Sequence, residues 1–376
     1  MVQTATHPNP QPDATDSGQS VCALMEGKGA YNAHATIPAA GSQSAIPIFR
    51  DAARAVHAAA AEPIVVADYG SSEGKNSLAP MRAAVGELRA RFGPERPIYV
   101  AHIDLPGNDF KTLIELVGSS PDSYAAGDPF VFPSAAARSF YSSVFPRESV
   151  HLGWSSYAAV WLSRVPAPIP DHIVAMCSNE TVRAAYAAQA AADWELFLSL
   201  RAPELRRGGR LVVVLPALDE SGSFGLGEFF DHANAALRDL VDAGAIGAGE
   251  AARMALPVYP RSKQQLLAPF ARENAFRGLT VEHCDMQILP DAAWLAFQST
   301  HDRHALAREH ALFFRVIFIP TLATALHERR TPDERSALAD LLTDALERRL
   351  IDAPAPLPRF VATIALAKAS DEELVK

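Results

Sequence analysis

The sequence predicts an α/β protein in which a largely parallel β-sheet is flanked by helices and an inserted helical cap covers the carboxyl edge of the sheet. Short β-branched segments alternate with helical segments from about residue 60 to residue 215. The chain beyond that point is mostly helical in composition, with strand-like segments late in the sequence. This alternation is typical of parallel sheets, because a crossover helix returns the chain to the edge at which each strand began.

Each predicted element follows from its hydrophobic periodicity and its flanking residues. Helices are predicted at residues 46–61, 77–92 and 184–205, with mostly helical chain at 225–255 and 304–350. Strands are predicted at residues 64–68, 98–103, 150–154, 173–176, 210–215, 279–289 and 358–367. The resulting core comprises residues 21–215, 276–290 and 355–376, and the cap comprises residues 216–275 and 291–354. The polar, proline-containing residues 1–20 are predicted to be a disordered tail.

Composition and charge argue against several classes of protein. The 376-residue chain is 49% apolar, yet it has no run of about 20 apolar residues that would span a membrane. The net charge of -9 argues against a nucleic-acid partner, which requires a basic face. Cys22, Cys177 and Cys284 are widely spaced and predict a reducing, cytoplasmic environment rather than a disulfide framework. No histidine has its neighbours in a metalloenzyme pattern, so no metal is expected.

Two acids end neighbouring predicted strands, which is where ligands bind in open α/β sheets. Asp68 begins a loop in which Gly70 and Gly74 let the backbone pass close to a ligand. Asp104 ends the next strand, and a carboxylate there can accept two hydrogen bonds from a ribose diol. The glycine spacing differs from the G-x-G-x-x-G fingerprint, so no pyrophosphate-containing dinucleotide is expected. The pattern favours an adenosine-containing cofactor, although a plain strand-to-helix turn would use the same glycines.

Several ordered segments resemble the SABATH family of carboxyl methyltransferases, named after salicylate, benzoate and theobromine enzymes. The matching segments are MEGKGAY at 25–31, ADYGSSEGKNSL at 67–78, DLPGNDF at 104–110, SFYSSVFPR at 139–147, His151 with SSYAAVWLS at 155–163, FLSLRAPELRRGGRL at 197–211 and the weaker FRVIFIPTL at 314–322. The resemblance extends from about residue 21 to the end of the sequence. It is most specific in DLPGNDF and SSYAAVWLS.

The resemblance implies a class I, Rossmann-like methyltransferase sheet with an inserted α-helical cap, assembled as a homodimer. Within the family the chain resembles a bacterial-type member. It also implies S-adenosylmethionine as cofactor and S-adenosylhomocysteine as product. The cofactor-binding residues that it implies are Tyr31, Asp68, Gly70, Asn76, Asp104, Leu105, Ser139 and Phe140. Tyr157 and Trp161 match the positions that hold the substrate carboxylate, and we expect them to act as the catalytic residues. Trp154, which precedes the Ser-Ser-Tyr segment, and Phe314 are further candidates for the substrate site.

The N-terminal segment departs from the pattern of the family that it resembles. Aligned from Tyr31, the positions of a cofactor-binding serine and of a carboxylate-binding glutamine are Ala35 and Pro38. One of the two usual carboxylate donors is therefore missing. The identity of the acid cannot be copied from the plant enzymes.

The resemblance implies methyl transfer to the carboxylate of a small, largely apolar acid of aromatic, indole or terpenoid type, which gives a methyl ester. Such an acid is already ionised at neutral pH, so no general base is required. The indole N–H of Trp161 is a donor without acceptor capacity and suits an anion. Three alternatives stay open: N-methylation of a heterocycle, a nucleotide-binding oxidoreductase, and a methyltransferase-like protein that binds ligand without turnover.

Overall fold

The computed structural model describes residues 23–59 and 62–370. The predicted tail at 1–20 and Cys22 lie outside the described residues, as do the last six residues of the chain. The described chain forms one mixed sheet with helices packed against it, which confirms the predicted α/β fold class. None of the described helices combines the length and apolar composition that crossing a bilayer requires.

Eight strands form the sheet. They are β1 (Ile64–Tyr69), β2 (Ile98–Asp104), β3 (Val131–Ala137), β4 (Val150–Ser156), β5 (Leu205–Pro216), β6 (Ala275–Phe276), β7 (Leu279–Leu289) and β8 (Arg359–Lys368). Their order across the sheet is β3-β2-β1-β4-β5-β8-β7-β6. The first five strands are parallel, whereas β8 is antiparallel to both β5 and β7. The first residue of β8 therefore lies at the edge where the parallel strands end.

Twelve α-helices connect and cover these strands. They are α1 (Ala30–His34), α2 (Thr36–Ser44), α3 (Ile46–Ala55), α4 (Lys75–Phe92), α5 (Phe110–Ser119), α6 (Glu180–Glu204), α7 (Gly227–Asp242), α8 (Ala248–Ala251), α9 (Lys263–Leu267), α10 (Ala292–Thr300), α11 (Arg303–Ala323) and α12 (Pro332–Asp352). Short 3-10 helices span Ala175–Cys177 and Ala268–Phe270. The count refers to the described residues.

The central strands are apolar on both faces because helices cover both sides of them. Val212, Val213 and Val214 in β5 are completely buried, although successive side chains point to opposite faces. A separate apolar cluster joins α7, α11 and α12, and Trp161 belongs to it. The helices of the cap therefore pack against the loop that follows β4, beside the carboxyl edge of the sheet.

The predicted strand at 173–176 and the predicted end of the helix at 46–61 were wrong. The β-branched residues Ile173 and Val174 pack into the apolar cluster of α7, α11 and α12 instead of forming a strand, and a 3-10 turn follows them. The sheet has no free position there, because β4 pairs directly with β5. In contrast, the alanine-rich segment 131–137 was not predicted and forms the edge strand β3, of which only Val131 is fully buried. The helix predicted at 46–61 ends at Ala55.

Candidate active site

A cavity of about 400 Å³ lies at the carboxyl edge of the parallel strands. Most of its wall comes from the loops that follow the parallel strands, the N-terminal segment 23–38, helices α7 and α11, and the first residues of β8. The volume is within the range of about 300–1,000 Å³ that is typical of small-molecule sites. The lining is mainly apolar, so the few polar groups on the wall decide which ligand binds.

Gly70 allows the loop after β1 to cross the loop after β4. Its φ is +90°, a conformation that residues with a side chain rarely adopt, and a β-carbon there would overlap that of Ala158. The N–H groups of Gly70 and Ser71 both donate to the carbonyl of Ile103, at 2.8 and 3.2 Å. Glycine is therefore required for this loop to form the cavity wall.

Asp104 is the last residue of β2, and it lines the cavity. Its Oδ2 accepts a hydrogen bond from the N–H of Ser72, and its Oδ1 accepts one from the N–H of Leu105, both at 2.7 Å. Burial raises the pKa of Asp104 to about 6, while the two N–H donors oppose that shift because they stabilise the ionised form. The carboxylate is thus held in one orientation with lone pairs left for ligand hydroxyls.

The loop at 139–142 follows β3 and forms another part of the wall. The fully buried Arg201 lies beneath it. Arg201 Nη1 donates to the carbonyl of Phe140 at 2.8 Å, and Nη2 donates to that of Ser142 at 2.9 Å. Nη2 also pairs with Glu204 Oε1 at 2.9 Å. This ion pair fixes the loop from below through charge-assisted hydrogen bonds.

Replacing Arg201 with methionine is expected to lower the free energy of unfolding by about 3 kcal/mol, because removal of one partner leaves the other buried charge unpaired. Chemical denaturation of the wild type and the variant measures the loss. Arg89→Met is the matched control, since Arg89 pairs with Asp128 at a partly exposed position, and its expected loss is about 1 kcal/mol or less. Equal losses in the two variants would show that the Arg201 pair contributes no more to the free energy of unfolding than the partly exposed Arg89 pair.

Tyr157 lies on the loop after β4 and has φ of +59°, which is uncommon for a residue with a side chain. Its N–H donates to the carbonyl of Val214 at 2.7 Å, which holds this conformation. Left-handed backbone at such a residue costs on the order of 1–3 kcal/mol and is concentrated at functional sites. The Tyr157 side chain lines the cavity and packs so tightly against α2 that a β-carbon on Gly41 would overlap its ring.

Trp161 lies four residues after Tyr157 on the same loop and also lines the cavity. Its ring centroid lies 6.0 Å from that of Phe318 on α11, and its side chain is nearly buried. The Trp161 carbonyl accepts a hydrogen bond from the hydroxyl of Tyr141 at 2.7 Å. The indole Nε1 has no acceptor within residues 23–59 and 62–370. A positioned donor without a protein partner therefore lies at the cavity.

Comparison with known families identifies the chain. Residues 19–352 match the family described as SAM dependent carboxyl methyltransferase. The chain belongs to this family. The match extends from the N-terminal segment through α12 and so includes every wall of the cavity except the first residues of β8.

Individual curated relatives match only part of the chain. Methyltransferase FUS9 of Gibberella moniliformis is 31% identical over 240 residues, which are 63% of this chain and 64% of that protein. Salicylate carboxymethyltransferase of Clarkia breweri is 31% identical over 224 residues, which are 57% of this chain and 61% of that protein. The chain thus matches somewhat less than two thirds of the length of these curated relatives.

A solved structure has the same fold as this chain. The structure described as loganic acid methyltransferase with SAH has a TM-score of 0.75 to this chain and is 22% identical. The alignment covers 93% of this chain and 99% of the other. The class I methyltransferase fold predicted from the sequence is therefore confirmed.

The N-terminal segment of the chain is held over the cavity by Glu73, which is buried in the loop after β1. Glu73 Oε1 accepts from the N–H of Gly29 at 2.6 Å, and Oε2 accepts from that of Asn32 at 3.0 Å. These bonds place Tyr31 and Pro38 on the cavity wall. Pro38 has no side-chain donor, so the segment leaves part of the wall apolar.

Two of the predicted cofactor residues lie behind the wall rather than on it. Asp68 is buried, and its Oδ2 is 2.9 Å from His102 Nδ1, whose Nε2 is in turn 2.7 Å from the Tyr124 hydroxyl. Asn76, in the first turn of α4, contacts the carbonyl of Ala35 through Nδ2 at 3.5 Å. Both residues support the loops that line the cavity. Their direct contact with a cofactor stays a prediction.

Trp154 and Phe314, predicted at the substrate site, also lie off the wall, and their contact with a substrate stays a prediction. The Trp154 side chain projects from β4 into the core, where its ring centroid is 4.5 Å from that of Phe49 on α3. Phe314 is fully buried among aromatic residues of α7 and α11. The neighbouring Phe313 lines the cavity instead, because consecutive residues of a helix point about 100° apart.

Polar residues of the cavity that were not predicted as site residues include Ser72, Ser156 and Arg359. The hydroxyl oxygens of Ser72 and Ser156 are buried and have no hydrogen-bond partner among the described residues. Buried polar atoms normally have partners, so these hydroxyls mark places where a ligand completes the hydrogen bonding. Ser156 ends β4 and Ser72 lies in the loop after β1, and nearness to a strand end was the available signal in the sequence.

His172, Cys177 and Asp231 form a small cluster outside the cavity. His172 Nδ1 accepts a hydrogen bond from the N–H of Val174 at 3.0 Å, so the neutral ring carries its proton on Nε2. That Nε2 lies 3.3 Å from Asp231 Oδ1. A protonated nitrogen has no lone pair for a metal, so this arrangement does not favour a metal-ligand set.

Proposed function

We propose that this methyltransferase transfers a methyl group from S-adenosylmethionine to the carboxylate of a small, largely apolar acid and so forms a methyl ester. One observation carries the proposal: Asp104 and Trp161, whose indole donor has no protein partner among the described residues, line one mainly apolar cavity. Relatives named for benzoic or salicylic acid and for loganic acid support an acid as acceptor.

The polar groups of the cavity fit the cofactor. Asp104 would accept hydrogen bonds from the ribose hydroxyls, with Leu105 beside it, and Ser139 and Phe140 would flank the adenine. Gly70 and the unpaired Ser72 hydroxyl lie close enough to Asp104 to serve the same molecule, because Ser72 donates its N–H to that carboxylate. In the proposed site Tyr31 closes over the cofactor from the N-terminal segment.

Bound S-adenosylmethionine supplies an electrophilic methyl group on its sulfonium. The acceptor carboxylate is already ionised at neutral pH, so the protein needs no general base. Trp161 and Tyr157 hold the acid by hydrogen bonding and set the direction of one carboxylate oxygen. Such orientation can lower a barrier by up to about 7–11 kcal/mol. The apolar side chains of α7 and α11 exclude water that would solvate the nucleophile.

We further propose a cytoplasmic homodimer. The widely spaced cysteines support a reducing compartment. Exposed large apolar side chains support self-association. Ile288 on β7 is 68% exposed and Leu295 on α10 is 53% exposed. Sedimentation velocity measures the mass, and a monomer at micromolar concentration would contradict the dimer.

Ligand-dependent thermal unfolding tests the proposed cofactor. S-adenosylhomocysteine at 100 times its Kd is expected to stabilise the protein by about 2.7 kcal/mol, whereas NAD is expected to have no effect. Methyl transfer is then followed by mass spectrometry with benzoate, salicylate, loganic acid and indole-3-acetate as acceptors. Stabilisation by NAD instead would favour an oxidoreductase, and cofactor binding without any methyl ester would favour a binding protein.

A further inference from the structure

Arg359 is a charged residue on the cavity wall that the proposed reaction has not yet used. It is the first residue of β8, where it pairs in register with Leu289 of β7. Only 7% of the residue is exposed, and it is one of the residues that line the cavity. The antiparallel direction of β8 brings this cation to the same edge as the ends of the parallel strands.

The guanidinium is only partly satisfied by the protein. Arg359 Nη2 donates to Asp291 Oδ1 at 2.9 Å. Asp291 Oδ2 is engaged elsewhere, since it accepts from the N–H of Leu357 at 2.9 Å and lies 3.2 Å from His310 Nε2. Arg359 Nε is buried with no partner among the described residues. Asp291 thus fixes the side chain and leaves donors of a permanent cation unused.

The position of Arg359 separates it from the proposed nucleoside site. Between β2, which ends in Asp104, and β8, which begins with Arg359, there are four strand spacings of about 4.8 Å, or roughly 19 Å. The two residues therefore contact different groups. Tyr157 follows β4, between these strands, and the charge of Arg359 opposes the burial that raises the pKa of Tyr157. Arg359 and Tyr157 thus share the part of the wall where the acceptor would bind.

We infer that Arg359 binds the carboxylate of the acceptor acid. The inference rests on the proposed function and makes it more specific. A guanidinium offers an anion a charge-assisted hydrogen bond, which is stronger than one between neutral groups. A neutral nitrogen heterocycle would gain no attraction between opposite charges from the guanidinium. The site therefore selects anionic acids over neutral acceptors of the same shape.

The test compares an acid with its primary amide. The acid is whichever of benzoate, salicylate, loganic acid and indole-3-acetate the wild type methylates fastest, and binding is measured by calorimetry with S-adenosylhomocysteine present. The double variant R359Q/D291N removes both members of the ion pair, which leaves no unpaired buried charge. We expect its preference for acid over amide to fall about 30-fold or more. Its affinity for S-adenosylhomocysteine is expected to stay within about twofold of the wild type.

Asp291→Asn is the matched control, because it breaks the same ion pair and keeps Arg359. It is expected to retain the preference for the acid. If the double variant does not bind S-adenosylhomocysteine, the same comparison is made with Arg359→Lys. We expect its preference for acid over amide to fall about tenfold, since lysine lacks the planar guanidinium group.

An unchanged preference for the acid in the double variant overturns the role of Arg359 and leaves the proposed reaction intact. The same holds for an unchanged preference in Arg359→Lys, if that variant has to replace the double variant. If the wild type methylates none of the four acids, the proposed function fails, and the inference that depends on it fails as well.

Discussion

Asp104→Asn is expected to weaken the binding of S-adenosylhomocysteine about 100-fold. The amide has one acceptor oxygen where the carboxylate has two, and backbone N–H groups already occupy both carboxylate oxygens in part. A ribose hydroxyl would therefore lose a hydrogen bond to a charged group, which is worth about 1.5–3 kcal/mol. Isothermal titration calorimetry measures the change. Asp285→Ala, at an exposed site on β7, is the control and should leave affinity unchanged.

The pH dependence of binding provides a second measurement on Asp104. Its pKa is raised to about 6, so the carboxyl is mostly protonated at pH 5 and mostly ionised at pH 7. Ligand hydroxyls bind the ionised form better, and affinity is therefore expected to be about tenfold lower at pH 5 than at pH 7, with a plateau above. The same raised pKa makes the ligand-free fold less stable as pH rises from about 4 to 6, because the folded state holds the extra proton. A similar binding profile in Asp104→Asn would exclude Asp104 as its origin.

Trp161→Phe is expected to lower kcat/KM about 10- to 100-fold. Phenylalanine keeps the apolar contact with Phe318 but removes the indole N–H. A hydrogen bond to a charged acceptor is worth about 1.5–3 kcal/mol, and this one would orient the nucleophile. Steady-state kinetics with the fastest acid of the panel measures the effect, and affinity for S-adenosylhomocysteine should be unchanged.

Trp194→Phe provides a matched control for that experiment. The Trp194 indole N–H donates to the carbonyl of Leu266 at 3.0 Å in the core, away from the cavity. The variant is expected to be less stable by about 1–3 kcal/mol, because the Leu266 carbonyl stays buried without its donor. Its kcat/KM should not change. If Trp161→Phe and Trp194→Phe affect turnover equally, Trp161 is a structural residue and not one that contacts the acid.

Local sequence predicted the part of the fold and site that depends on neighbouring residues. The β-branched run that begins at Ile64 and the run around Val212 form strands as expected. Asp104 was placed at the cavity because a strand end and the loop after it are encoded within a few residues. Gly70 was placed there because its positive φ and its close approach to another loop are features that only glycine tolerates at low cost.

Other features of the site depend on which elements meet in space. Trp154 lies in a strand covered on both faces, so alternation along the sequence does not show which face meets the cavity and which meets Phe49. Phe313 and Phe314 are adjacent in sequence and both apolar, yet only the first faces the cavity, because the packing of α11 sets its rotation.

By itself, the sequence determined the α/β class, the strand ends and the family, because each of these depends on local order along the chain. The tertiary structure alone decided that Arg359 reaches the cavity, since this depends on the insertion of β8 antiparallel between β5 and β7. It also decided that Asp291 holds this cation by one nitrogen. Burial of a charge and the choice of its partner are set by long-range packing, which no local pattern encodes.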